Sequence, residues 1–276
     1  MKRQDVRVAV VRMEGSNCEE ELYRATHALG AQPEMVHLNQ LTGRSRPEDR
    51  RKLEDYQVLL FPGGFSAGDY IRAGAIFAAR MKAAMAKDVE AFVAAGKPVG
   101  GFCNGFQIMV EMGLLPGFEK GLPDAPQAVL HINDSGHYEC RPVLLKHEAK
   151  CAFTSKIPKN KVLTIPSAHA EGRLLFPKGE EGRTLRKLEE ESMVVFRYVD
   201  DQGNPGKYPW NPSGSPGGVA GICNTEGNVF GMMPHPERAF WRWQHPDWTR
   251  QGKPPSGPGD GQAVFESVLS HVEKKF

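Results

Sequence analysis

The sequence predicts an α/β fold: a single domain over residues 1–276 in which helices cover a mainly parallel central sheet, with antiparallel additions in the C-terminal half. Three observations carry this. Short β-branched runs alternate with helix-forming stretches through the first hundred residues, and such alternation builds parallel strands joined by crossover helices. Glycines close several of these runs, at Gly30, Gly63 and Gly96. After Pro116 the runs shorten and their connections become brief, the pattern of antiparallel pairs. At 276 residues and 40% hydrophobic content, the chain has the material for a sizeable core.

In order, residues 6–11 read as a buried strand, and residues 18–29 as a helix ended by Gly30. A strand over 35–38 follows, then a charged stretch over 43–55 that contains Pro47 and reads as a loop or short helix. Residues 58–61 form a strand stopped by Pro62-Gly63-Gly64, and residues 72–95 an Ala-rich helix. Residues 97–102 lead as a strand into Cys103, and a helix begins at Phe106. The later strands are expected at 128–132, 138–145, 162–165, 193–198, 219–223 and 229–232. Two loop insertions stand at 201–218, dense in Gly, Pro, Asn and Ser, and at 240–261, with Trp241, Trp243 and Trp248 among prolines. In the last helix, 262–272, Val264, Phe265, Val268, Leu269 and Val272 share one face and are expected to pack on the sheet.

Charge sets limits on function. The 35 basic and 33 acidic side chains are dispersed and leave a net charge of +2, so no nucleic-acid partner is implied. No apolar stretch reaches the length of a signal core or a membrane span, which points to a cytoplasmic protein with no membrane partner. The five cysteines, at 18, 103, 140, 151 and 223, are odd in number and lack CxxC spacing. That argues against a disulfide framework and against a structural metal site.

One of these thiols has a chemical setting. Gly101-Phe102-Cys103-Asn104-Gly105 has the G-x-nucleophile-x-G form of a strand-to-helix elbow, which presents a side chain above the carboxyl edge of a sheet. There the helix N-terminus favours both a thiolate and an oxyanion. A buried structural cysteine is the competing reading of any one thiol; strand, glycine pair and helix together favour the nucleophile. The remaining four lack this context and read as structural.

A thiol nucleophile needs a base, and the base an orienting group. Pro234-His235-Pro236-Glu237 supplies both at a strand end, with Glu237 placed to accept from one ring nitrogen while the other faces Cys103. Pro62-Gly63-Gly64-Phe65 follows a strand expected beside that of Cys103, so an amide of Gly63, Gly64 or Phe65 can be the second oxyanion donor, with that of Asn104. No Gly-Lys-Ser/Thr follows, which weakens a phosphate-loop reading.

This combination resembles the class I (triad-type) glutamine amidotransferases. Gly15-Ser16-Asn17-Cys18, residues 62–70, Cys103-Asn104-Gly105-Phe106-Gln107, Ala168-His169-Ala170-Glu171-Gly172 and residues 233–238 are similar, more narrowly, to the glutaminase component of phosphoribosylformylglycinamidine synthase. The resemblance spans nearly the whole chain. It implies a flavodoxin-like three-layer α/β/α architecture, with Cys103 as nucleophile, His235 as general base and acid, Glu237 as orienter, and Gly64 and Asn104 at the oxyanion hole. It implies Gln107, Asn133, Ser135 and Gly136 as contacts for L-glutamine. It also implies no metal or cofactor in this chain, and a synthetase partner that holds ATP and magnesium, with or without a small third subunit. His169, Glu171, Arg238 and the 201–218 loop are candidate partner contacts. Departures from the family pattern, at Ala67, Ala170 and residues 211–215, touch no triad residue. The alternatives are another cysteine hydrolase of the same superfamily and a non-catalytic regulatory module; the intact Cys103, His235 and Glu237 speak against the second.

Overall fold

Strand β1 (Arg7–Arg12) carries the first apolar run, and Val8 to Val11 are fully enclosed. A computed structural model describes residues 1–119, 121–252 and 254–276. Helix α1 (Glu19–Ala28) opens with three acidic residues, which suits the positive end of its dipole. It buries Leu22, Ala25 and Thr26 before β2 (Gln32–His37) pairs parallel with β1. The single turn α2 (Leu38–Leu41) is capped by the His37 ring, which accepts from Asn39 N at 3.1 Å. Strand β3 (Val58–Phe61), helix α3 (Ala75–Ala94), strand β4 (Val99–Phe102) and helix α4 (Asn104–Met112) follow.

The second half contributes β5 (Val129–His131), β6 (Glu139–His147), β7 (Val162–His169) and β8 (Arg173–Leu175), then α5 (Glu181–Glu190), β9 (Val194–Val199), β10 (Val219–Cys223), β11 (Val229–Met232) and α6 (Gln262–Lys275). The main sheet runs β2-β1-β3-β4-β11-β10-β9-β6-β7, while β5 and β8 form a separate antiparallel pair. Pairings from β2 to β11 are parallel, and those from β11 to β7 antiparallel.

The strand order reverses direction at β1. Right-handed crossovers therefore place α1 on one face and α3 and α4 on the other, and they open a crevice at the carboxyl ends of β1 and β3. Helix α6 packs with α1, and α3 with α4, which completes three layers. Phe102, Phe230 and Phe265 meet edge-on or tilted at centroid distances of 6.3 and 5.8 Å, fastening β4, β11 and α6. Each such buried ring contributes about 1.5–3 kcal/mol through the hydrophobic effect. Pro166 lies on the edge strand β7, where a missing N–H leaves no gap in a ladder.

Several elements differ from expectation. Helix α4 starts at Asn104 rather than Phe106, so it abuts Cys103 directly. Strand β7 continues to His169, four residues further than its apolar pattern suggests. Neither β8 nor α5 is foreshadowed; α5 is charged throughout and buries only Thr184 and Leu188. The 240–261 loop is held by 3-10 turns at Arg242–Gln244 and Trp248–Arg250. Among the described residues no helix is long and apolar enough to cross a membrane.

Candidate active site

Four strand ends converge at the crevice: Gly15 to Cys18 follow β1, Gly63 and Gly64 follow β3, Cys103 follows β4, and His235 lies three residues after β11. Cys103 has φ 53° and ψ −110°, a conformation that L residues rarely adopt. Hydrogen bonds hold it there: its N–H donates to Met232 O at 2.9 Å, and its carbonyl accepts from Phe106 N and Gln107 N at 3.0 and 3.1 Å. The thiol lies 3.5 Å from Ala168 O and is 6% exposed, buried yet open to the pocket described below.

His235 is enclosed, and its Nδ1 meets Glu237 Oε1 at 2.6 Å. Its backbone N–H donates to Pro166 O at 2.8 Å, so β7 fixes the imidazole from above. Gly63 is the floor on which the groups gather. A Cβ there would stand 2.7 Å from His235 Cε1, 3.0 Å from Cys18 Sγ and 3.4 Å from Cys103 Cβ.

Burial alone would lower the His235 pKa. The Glu237 charge, then the charge and hydrogen bond of Cys103, then Cys18, overcome it and hold the value well above the usual 6.5. Because folding raises this pKa, protonated His235 contributes to stability in full below about pH 6.5, and the contribution fades as pH climbs through the folded value. Glu237→Gln is therefore expected to lower the His235 pKa in an imidazole NMR titration, and to reduce kcat by about 100-fold or more through loss of the oriented tautomer. An unchanged titration would contradict the role given to Glu237.

Cys18, read from sequence as structural, stands inside this group. Its Sγ accepts from Arg238 Nη2 at 3.1 Å and lies 4.0 Å from His235 Nδ1. Burial raises its pKa, against the opposing hydrogen bond from His235. Cys18, His235 and Glu237 place their ligand-type atoms within 4.8 Å of one another, but Nδ1 is engaged by Glu237 and the thiol by Arg238.

The amide N–H of Gly64 donates to nothing among the described residues, and neither does that of Asn104, the first residue of α4. Phe65 N, the third sequence candidate, is spent on Gly15 O at 3.0 Å. Gly64 has φ 138°, and a Cβ would lie 2.7 Å from Asn17 N and Gly15 O, so only glycine leaves this amide in place. Two free amides beside the thiol are the arrangement an oxyanion needs.

Beside them is a pocket of about 480 Å³, lined among others by Cys103, His235, Gly64, Asp69, Gln107 and Glu171. One hydrogen-bonded chain shapes its wall. Asn104 Oδ1 accepts from Ser66 N (3.3 Å), and Asn104 Nδ2 donates to Gln107 Oε1 (2.9 Å) and Asp69 Oδ1 (3.4 Å). Gln107 Nε2 donates to Glu171 O (2.6 Å), and Glu171 Oε2 accepts from Ala73 N (3.0 Å).

The structure does not bring the other expected glutamine contacts to this pocket. Asn133 is buried, and its amide is consumed within the fold: it donates to His137 O and His169 O and accepts from His169 Nδ1 and Gly172 N, all at 2.8–3.0 Å. Ser135 lines a different cavity beside residues 205–218, and Gly136 is in the turn closed by its own N–H on Asn133 O. Tyr138, two residues on, is the residue of this segment that reaches the pocket mouth, 64% exposed. His169, a candidate partner contact, is 3% exposed, and burial lowers its pKa to about 4. Arg238 reaches inward to Cys18. Cys140 is exposed on β6 rather than packed. Asp69 also lines the pocket, carried by the glycine-rich turn that follows β3.

The profile of the CobB/CobQ-like glutamine amidotransferase domain matches residues 5–272, and the chain belongs to that family: it is a glutamine amidotransferase. Among its relatives, the phosphoribosylformylglycinamidine synthase subunit PurQ of Archaeoglobus fulgidus is 50% identical over 278 residues, covering 99% of this chain and 100% of the relative. The protein of the same name from Picrophilus torridus is 42% identical, covering 96% and 98%. A chain in the structure of PurLQS from Thermotoga maritima superposes with a TM-score of 0.70 at 34% identity, over 97% of this chain and 99% of that one.

Proposed function

We propose that this chain is the glutaminase subunit of phosphoribosylformylglycinamidine synthase, in purine biosynthesis. It hydrolyses L-glutamine and passes the ammonia to a synthetase partner that forms the amidine from formylglycinamide ribonucleotide with ATP. The observation that carries the reading is the buried Cys103 at its elbow, sharing one pocket with His235, which Glu237 holds from behind, in a chain whose full-length relatives bear that enzyme's subunit name.

The chemistry follows from the geometry. The Cys103 thiolate attacks the side-chain amide carbon of glutamine, and the amides of Gly64 and Asn104 receive the resulting oxyanion. With Nδ1 held by Glu237, Nε2 of His235 gives its proton to the departing nitrogen, which leaves as ammonia and a γ-glutamyl thioester on Cys103. Water, deprotonated by the same Nε2, attacks the thioester; glutamate leaves and the thiol is restored. ATP and magnesium belong, on this reading, to the partner, and the pair works in the cytoplasm.

The pocket rim supports a partner. Phe65 and Tyr138 line the Cys103 pocket and stand exposed at 54% and 64%, and Tyr70 and Ile71, in the chain between the lining residues Asp69 and Ala73, are exposed at 89% and 74%. Covering them would seal ammonia from bulk water, where it would be protonated and lost. Glutamine hydrolysis by the chain alone is therefore expected to be slower than in the assembled synthase, by about tenfold or more, in a glutamate-release assay. Equal turnover with and without the synthetase would refute the coupling.

A further inference from the structure

Two of the five free cysteines are enclosed in the core and have no part in the Cys103 pocket: Cys151, 7% exposed, and Cys223, 3%. They are far apart in sequence, yet the fold sets their side chains in hydrogen-bond contact. Cys223 is the last residue of β10, and its N–H donates to Met193 O at 2.9 Å. Cys151 follows β6 in the connection to β7 and is laid against the turn between β10 and β11. There Ala152 N donates to Gly227 O at 2.7 Å, and a Cβ on Gly227 would stand 3.6 Å from Cys151 Cα. Both backbones are thus fixed before any bond joins the sulfurs. The two thiols are not equivalent. The Thr154 hydroxyl stands 3.6 Å from Cys151 Sγ, and the Cys223 thiol and the amides of Phe153 and Thr154 face the same atom. Burial alone would raise the Cys151 pKa; these donors, Cys223 foremost, overcome it and bring the value below that of an ordinary thiol. The hydrogen bond to Cys151, and then burial, push Cys223 the opposite way.

We propose that Cys151 and Cys223 form a disulfide-exchange site, at which a low-molecular-weight disulfide converts the touching thiols into an intramolecular cross-link. The Cys151 thiolate attacks one sulfur of the reagent, forming a mixed disulfide and expelling the first thiolate. Cys223 passes its proton to that thiolate and attacks Cys151 Sγ, which closes the bridge and expels the second. The cysteines lose two electrons and two protons in all, and the reagent gains both to become two thiols. In the sheet β6 and β10 flank β9, so the bridge ties the β6–β7 connection to a strand two places away. The loop it closes contains β7, β8, α5 and β9, and a cross-link over so long a loop removes much of the freedom of the unfolded chain.

The test uses the full-length chain, reduced and then incubated overnight with oxidised glutathione below its unfolding midpoint. After alkylation and digestion without reductant, mass spectrometry is expected to find the Cys151 and Cys223 peptides joined in most chains. Adducts at Cys18, Cys103 and Cys140 are mapped separately in the same digest. Relative to the reduced chain, Tm is expected to rise by about 5–10 °C, a gain absent from Cys151→Ala treated in the same way. Cys223→Ala should accumulate a glutathione adduct on Cys151 that goes no further, whereas Cys151→Ala should keep Cys223 as an unmodified thiol. Recovery of both residues as free thiols from the folded wild type would overturn the inference, as would a bridge that forms only once denaturant has unfolded the chain. Uptake of glutathione by Cys223 in Cys151→Ala as fast as by Cys151 in Cys223→Ala would overturn the assignment of Cys151 as the attacking thiol. A cross-linked chain with an unchanged Tm would refute the stapling of the β6–β7 connection to β10.

Discussion

Cys103→Ser, like Cys103→Ala, is expected to abolish glutamine-dependent amidine formation by the assembled synthase, by at least about 1,000-fold, while formation from added ammonium salts persists. The contrast follows from where the sulfur stands. Its strained backbone is pinned by Met232 O, Phe106 N and Gln107 N, none of which involves the side chain, so either substitution leaves the elbow intact. What disappears is the soft nucleophile: a hydroxyl in the same position has a far higher pKa, and His235 is built to pair with a thiolate. The synthetase consumes ammonia from any source and is untouched. Retention of glutamine-driven synthesis in either variant, measured side by side with the ammonium reaction, would show that another group attacks the amide.

Gly105→Ala is expected to cost about 3 kcal/mol or more of stability, read as a large drop in the denaturant midpoint or as failure to accumulate soluble chain. A Cβ at Gly105 would come within 2.0 Å of Phe61 O and 2.9 Å of Phe61 Cβ, and both belong to the neighbouring strand β3 rather than to a pliable side chain. Relief would require α4 to move away from the sheet, carrying Asn104 and Gln107 with it. Gly101 meets the same wall from the other side, since its Cβ would be 2.5 Å from Gly105 O. A Gly105→Ala protein with the parent midpoint would mean that helix and strand are less tightly joined than these distances require.

The grouping of Cys103 with the His235–Glu237 pair and the parallel half of the sheet are legible in the sequence because each rests on a local signal. Val8 to Val11 are apolar on both faces, and Gly101 to Gly105 and Pro234 to Glu237 keep their chemistry within a few residues. What escaped notice depends on distant contacts. Helix α5 offers few apolar residues and is held by buried Thr184 and Leu188, by Leu185 against the core and by the Glu189–Arg197 ion pair, contacts that its own sequence does not announce. Strand β7 extends through Pro166 to His169 because β6 pairs with it residue for residue, which its own composition does not announce. Cys18 lacks the elbow context of Cys103, although its Gly15-Ser16-Asn17-Cys18 string is part of the family resemblance; the return of the chain more than two hundred residues later puts His235 and Arg238 against it. The side chain of Asn133 ties the 133–137 turn to the end of β7, a structural task that its place in the sequence does not reveal.

The sheet changes character at β11, and the site straddles that seam. Cys103, His235 and the free amides of Gly64 and Asn104 all follow parallel strands, whereas Pro166 O and Ala168 O belong to β7 at the far margin and Glu171 follows it. The pocket wall is thereby shared by both halves of the sheet, with Gly64, Asp69 and Gln107 from one and Tyr138, Ala168 and Glu171 from the other. The two halves must dock before a closed cavity exists, so a change that loosens the outer arm opens the cavity to water even where the inner strands stay intact.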